Sequence, residues 1–302
     1  MKKYIYIIIA VASIFALSGC SNINDNQNTL QEMTFTAGFG DGVQTRATLN
    51  PSTKKVSFDA PDYIRIISAS NQYKKTKYKD ETKKFTTTSG GATATFTGSA
   101  VSGDPVYYAI YPYNSYDNAL ELDGTTIKYV HLSNNQSAAS SSDCGWDKNA
   151  AIAYATASGS SLQFHHACAL LKMTNDASNN PDVGIGPYAN FIIISDSSNI
   201  VGTFDLDTQT GALTYHYPEE DNIPPGTVMK GSDELDVNNV PMGKTVYAAI
   251  APCTVNNLTV YFGAGNDLTE YYSKKKSTPT TFEAGKIYDL GNASEWFNNE
   301  EE

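Results

Sequence analysis

Apolar and polar residues alternate along Met33 to Phe39, M-T-F-T-A-G-F, with Met33, Phe35, Ala37 and Phe39 on one side and Thr34, Thr36 and Gly38 on the other. A period of two predicts a half-buried β-strand. From residue 33 onward, short β-favouring runs alternate with Gly, Asn, Asp and Pro, and helical periodicity is nearly absent. The clearest runs are Val56–Phe58, Tyr63–Ile67, Ala92–Phe96, Val106–Tyr111, Ile127–Leu132, Leu170–Met173, Phe191–Ile194, Thr203–Leu206, Val246–Ile250, Leu258–Phe262 and Lys286–Leu290. Twenty tyrosines fit the same preference. The predicted class is all-β, packed as β-sandwiches.

One pattern occurs twice. V-Y-Y-A-I-Y-P at Val106–Pro112 and V-Y-A-A-I-A-P at Val246–Pro252 share V-Y-x-A-I-x-P, 140 residues apart, and each stops at a proline that cannot continue a central ladder. The echo predicts two related sandwiches in tandem, at residues 33–160 and 161–302, with the boundary in the Ser/Gly-rich stretch Ala157–Ser161. The polar segment Asn134–Asn149 is expected to be a long surface loop of the first domain.

The N-terminus changes the picture from a plain globular protein to an exported one. Residues 1–19 carry two lysines and then a short apolar run, the pattern of a secretory signal peptide rather than a spanning helix. The run ends L-S-G-C, which resembles a bacterial lipobox; that resemblance implies cleavage before Cys20, diacylation of Cys20 and tethering to a membrane. Residues 20–32 then read as a polar, flexible tether. Loss of Lys2 and Lys3 takes the formal net charge from −11 to −13, which argues against nucleic acid as a partner. The lysine groups at 74–84 and 274–276 read as solvent faces of strands, where lysine discourages edge pairing. Cys144, Cys168 and Cys253 form no regular framework, and Cys168 and Cys253 are expected as buried thiols.

Candidate chemistry is sparse. His165 and His166 beside Cys168 suggest a metal site, but neighbours on a strand point to opposite faces, so the expected reading is packing. Asp205, Asp207 and Gly211 resemble part of a calcium loop. Thr210 and His216 stand where glycine and glutamate would be needed, and a β-hairpin explains the stretch without metal. No nucleophile elbow, phosphate loop or zinc-protease helix is present, so neither catalysis nor a cofactor is expected. Trp146 and Trp296 are the candidates for stacking on sugar rings, Trp146 the better placed of the two.

Several stretches, in order, resemble the fimbrillin-like family of Bacteroidetes surface lipoproteins: L-S-G-C at Cys20, M-T-F-T-A-G-F with T-R-A at Thr45–Ala47, V-Y-Y-A-I-Y-P-Y-N at Val106, F-H-H-A-C-A-L-L-K-M at Phe164, I-V-G-T-F-D-L-D at Ile200, V-Y-A-A-I-A-P at Val246 and A-G-K-I-Y-D-L-G at Ala284. The resemblance implies two tandem transthyretin-like Greek-key sandwiches and a structural role in fimbriae (type V pili) at the cell outer membrane. Other fimbrial subunits and the membrane, through lipid on Cys20, would be its partners. It further implies that an arginine-specific protease cuts after Arg46, leaving Ala47 as the new N-terminus. The strand Met33, Phe35, Ala37, Phe39 would be removed, and a neighbour's strand would fill the vacated groove. Arg46 is one of only two arginines, and the other, Arg65, is expected inside a strand. The residues from Asp289 to Glu302 show no long alternating extension of the kind a donor strand needs, which favours an anchor or accessory subunit that keeps its lipid. The alternative function is a non-polymerising surface lipoprotein that binds host glycans or proteins through Trp146.

Overall fold

The computed structural model describes residues 29–40, 48–49, 56–75, 83–113, 120–137, 145–147, 149–176, 188–216, 234–263 and 271–295. The fold is all-β. Seven strands close into a barrel in the spatial order β1 (Leu30–Phe39), β13 (Ser161–His166), β12 (Ala153–Ala157), β7 (Tyr107–Tyr111), β4 (Tyr63–Ser68), β5 (Lys84–Thr87) and β6 (Thr93–Val101). A five-stranded sheet runs β10 (Asn135–Ser137), β18 (Glu234–Pro241), β15 (Tyr188–Ser195), β21 (Leu258–Gly263) and β22 (Tyr271–Lys276). A four-stranded sheet runs β11 (Gly145–Trp146), β19 (Lys244–Ile250), β14 (Ala169–Asn175) and β24 (Ile287–Asn292), and another β17 (Leu213–Tyr215), β16 (Gly202–Asp207), β9 (Thr126–Leu132) and β8 (Glu121–Asp123). Two short pairs complete the set: β2 (Thr48–Leu49) with β3 (Val56–Ser57), and β20 (Cys253–Val255) with β23 (Thr280–Phe282).

Strand alternation divides the apolar residues between two cores. On β7, Tyr107, Ala109 and Tyr111 point into the barrel, where they meet Phe35, Phe58, Ile64, Ile66, Phe85, Phe96, Leu162 and Phe164. The alternate residues Tyr108 and Ile110 leave the barrel on its other side and, with Ile67, Ile152 and Tyr154, join the larger core built from the remaining sheets. The barrel wall formed by β4, β7 and β12 is therefore buried on both faces, which is why V-Y-Y-A-I-Y reads as a continuous apolar run rather than an alternating one. The opposite wall, β6–β1–β13, turns Thr34, Thr36, Thr95, Thr97 and Gln163 to solvent.

The two copies of V-Y-x-A-I-x-P occupy equivalent places, each on a strand with neighbours on both sides: β7 between β12 and β4, β19 between β14 and β11. The segment expected as one long loop, Asn134–Asn149, instead contributes β10 and β11, which run parallel to β18 and β19. The cause is Gln136, 1 % exposed. Its side-chain Nε2 donates to Ala249 O at 2.8 Å and its Oε1 accepts from Ala249 N at 2.8 Å, so a side-chain amide replaces a missing ladder rung on β19. Several pairings cross the middle of the chain, those of β10 with β18 and β11 with β19 among them. β13 stays in the barrel beside β1, while β9, from the first half, pairs antiparallel with β16.

Candidate functional site: the β1 slot

β1 lies in the solvent-facing wall, between two strands far apart in sequence. It runs antiparallel to β6 over nine residue pairs from Leu30↔Val101 to Gly38↔Thr93, and parallel to β13 from Thr36↔Ser161 to Phe39↔Phe164. Two further backbone bonds pin its end, Thr36 N to Ser160 O at 2.8 Å and Gly40 N to Phe164 O at 3.1 Å. Without β1 the barrel has a gap: the ladder edges of β6 and β13 would both lose their partner.

The interior side chains of β1 act as plugs. Phe35 and Ala37 are fully buried, and Met33 and Phe39 are partly buried against the same cluster. Phe35 makes edge-to-face contacts with Phe85 (5.4 Å between centroids) and Tyr107 (5.1 Å), a geometry that aromatic quadrupoles favour. Phe39 stacks on Phe58 at 5.0 Å and on His166 at 5.2 Å. Beside Phe35, the Tyr107 hydroxyl donates to Val101 O at 2.5 Å, accepts from Asp104 N at 3.1 Å and lies 3.8 Å from the Met33 sulfur. Burial pushes the Tyr107 phenol above its ordinary pKa, so it remains a neutral donor. Gly98, paired with Met33, is required for close packing: a Cβ there would lie 2.7 Å from Lys84 O and 2.8 Å from the Phe85 ring.

The remaining sequence candidates are scattered. His165 and His166 sit on opposite faces of β13; His166 stacks on Phe39, and His165 lies 5.9 Å from Tyr154. Asp205 and Asp207 lie on β16, paired with β17 as a hairpin. Asp207 accepts from the amides of Gln209 and Thr210, and these bonds hold its carboxyl below the usual range. Asp205 contacts His216 Nδ1 at 3.1 Å. Among the described residues, no three His, Cys, Asp or Glu side chains come together as a metal site. Cys168 and Cys253 are free thiols. Trp146 lies on β11, its backbone paired with Tyr247. Cys20, Arg46, Ala47, Cys144 and Trp296 lie outside the described residues. Arg65 is 1 % exposed on β4, its guanidinium 4.4 Å from the centre of the Tyr113 ring.

The sequence model of the fimbrillin-like family matches residues 25–291. The chain belongs to the fimbrillin-like family. A comparison with curated proteins finds no match. Among solved structures, it is similar to a Bacteroides uniformis protein assigned to cell adhesion (16% identity, 86% of this chain and 92% of that one, TM-score 0.45). It is also similar to a fimbrial assembly protein from Parabacteroides distasonis (9% identity, 87% and 91%, TM-score 0.35) and a fimbrial protein from Bacteroides vulgatus (12% identity, 86% and 95%, TM-score 0.32). As a fimbrillin-like protein, the chain is a structural subunit of the fimbrial type, not an enzyme, and it belongs with surface and outer-membrane proteins whose partners are other fimbrial subunits.

Proposed function

We propose that this fimbrillin-like chain is a lipid-anchored fimbrial subunit in which β1 is the exchangeable element. Lipid on Cys20 holds the precursor at the outer membrane. Cleavage between Arg46 and Ala47 then separates Met33, Phe35, Ala37 and Phe39 from the rest of the fold, and a strand from a neighbouring subunit takes the slot. The observation that carries this reading is the position of β1 in the barrel. It closes a solvent-facing wall, and it precedes Arg46 in the chain, so a single cut leaves it held only by non-covalent contacts. An empty slot would present two unpaired ladder edges and apolar pockets at alternate positions, which is the recognition surface for β-addition. Subunits joined this way make a heterologous contact that grows into a fibre.

The proposed division into two tandem transthyretin-like sandwiches, with the boundary near residue 160, is supported by the central placement of both V-Y-x-A-I-x-P strands. The strands β9, β10 and β11 before that boundary and β13 after it pair across it and tie the two halves together.

The test is limited digestion of the folded protein with an arginine-specific protease. The expected product begins at Ala47, keeps Arg65 intact and forms ladders or fibres. Cleavage at Arg65, or an inert trimmed monomer, would overturn strand release. The N-terminal residue on intact cells distinguishes the two forms: acylated Cys20 marks an anchor that keeps its plug, and free Ala47 a stalk subunit that has lost it.

A further inference from the structure

A second groove, of about 370 Å³, opens between β22 and β24, the outer strands of two different sheets. Its apolar floor is Leu258 and Val260 of β21 with Leu290 of β24; Lys274 and Lys276 of β22 and Asp289 of β24 line its sides. The register explains this composition. Val260 pairs with Lys274 and Leu258 with Lys276, and directly opposed residues of an antiparallel ladder project to one face. Leu258 and Val260 point into the core, 1% and 4% exposed, so Lys274 and Lys276 stand on that inward side at the mouth of the sandwich. Asp289 is held by Lys172 at 2.5 Å, whereas Lys275 and Lys276 have no ion-pair partner among the described residues. Both bordering strands also leave one ladder edge unpaired among the described strands.

The chain itself carries a segment of complementary chemistry. After Glu295 it continues W-F-N-N-E-E-E, two aromatics followed by three glutamates. Glu295 stands at the mouth of the groove: the point where a Cβ on Gly291 would lie is 2.9 Å from Glu295 Oε2 and 3.7 Å from Lys274 Nζ. We propose that the groove between β22 and β24 is the docking site of this chain's own segment Trp296–Glu302. The aromatic pair enters over Leu258, Val260 and Leu290, and the glutamates face Lys274, Lys275 and Lys276. Seven extended residues span roughly 23 Å, enough to run the length of β22. Each exposed ion pair is weak, but the tether supplies an effective concentration in the millimolar range, so weak contacts suffice. The docked segment covers an open sheet edge without using the β1 slot, and the proposal stands apart from strand release.

The test uses the full chain. The fluorescence of Trp296, taken as the difference between the native protein and Trp296→Phe, is expected to be blue-shifted and shielded from iodide at low salt. Lys274→Glu/Lys276→Glu and roughly 1 M salt, where the screening length is about 3 Å, should abolish the shift. Carbodiimide coupling should join Glu300–Glu302 to Lys274–Lys276 within one chain, as read by mass spectrometry on mixed ¹⁴N and ¹⁵N protein. The yield should fall roughly tenfold in Trp296→Ser/Phe297→Ser, because burial of the two rings holds the segment in place. A water-like Trp296 spectrum in the native chain, coupling to Lys74 and Lys75 at equal frequency, or crosslinks only between chains would each overturn the proposal.

Discussion

The wall of the barrel at β1 and the mouth of the sandwich at β22 and β24 deal with the same problem, an unpaired strand edge, in opposite ways. At β1 the edges of β6 and β13 are closed by a strand that buries Phe35 and Ala37 and turns Thr34 and Thr36 outward. At β22 the edge has no partner strand among the described residues and the inward positions are lysines. Apolar plugs hold a strand by burial, whereas inward charge disfavours pairing with a strand that lacks carboxylates.

The comparison would break most visibly at Phe35. Replacing it with Ala should destabilise the fold by about 3–5 kcal/mol, because a fully enclosed ring leaves a cavity among Phe85 and Tyr107. Equilibrium urea denaturation measures this, and a loss under about 1 kcal/mol would mean that β1 is peripheral. Overfilling Ala37 with Leu should cost about 1–3 kcal/mol, since the position is wholly enclosed; the same titration checks it. Lys274→Val/Lys276→Val should leave stability within about 1 kcal/mol of the native value. It should also promote self-association, seen by sedimentation velocity, because the guard on the edge is gone. A variant that stays monomeric would show that the lysines are not what keeps this edge free.

Two smaller effects come from titration. Burial raises the Cys253 thiol to about 11 from its ordinary value of 9.0, so its thiolate fraction near neutrality is about a hundredfold below that of a free thiol. Alkylation of native Cys253 should be correspondingly slow and should accelerate as pH rises toward that value; labelling followed by peptide mapping reads it. Asp196, bonded to the side chain and backbone of Asn257, and Asp207 have folded pKa values below their ordinary ones. A depressed carboxyl stabilises fully above its unfolded pKa near 3.9 and loses that contribution as pH falls through the folded value. The exchange protection factors of the Asn257 and Gln209 amides should therefore fall below about pH 4 before those of β1 do.

Much of the fold was legible in the sequence because apolar alternation reports burial directly. Met33–Phe39 read as a half-buried strand, and Val106–Tyr111 and Val246–Ile250 as buried ones. The F-D-L-D hairpin was readable because Asp207 caps its own turn. β12, A-Y-A-T-A, escaped notice because alanine is a weak β signal, and β10, N-Q-S, because a polar tripeptide reads as loop. Gln136 shows why such residues mislead: its burial depends on a backbone partner at Ala249, 113 residues away. The β1 residues of the candidate site could be named from sequence, but not their neighbours, since β6 and β13 lie at 93–101 and 161–166.

By itself, the sequence determined that the chain is all-β and repeats a central strand, that one face of Met33–Phe39 is apolar, and that arginine is rare enough to make Arg46 distinctive. These are local properties, set by side-chain size, period and composition. Only the tertiary structure decided that β1 sits in the solvent-facing wall, that β9 and β13 cross between the halves, and that two lysines turn inward at the mouth of the second groove. Strand neighbours are chosen by long-range complementarity of whole faces. The identity of a residue limits which faces it can join but does not name the partner.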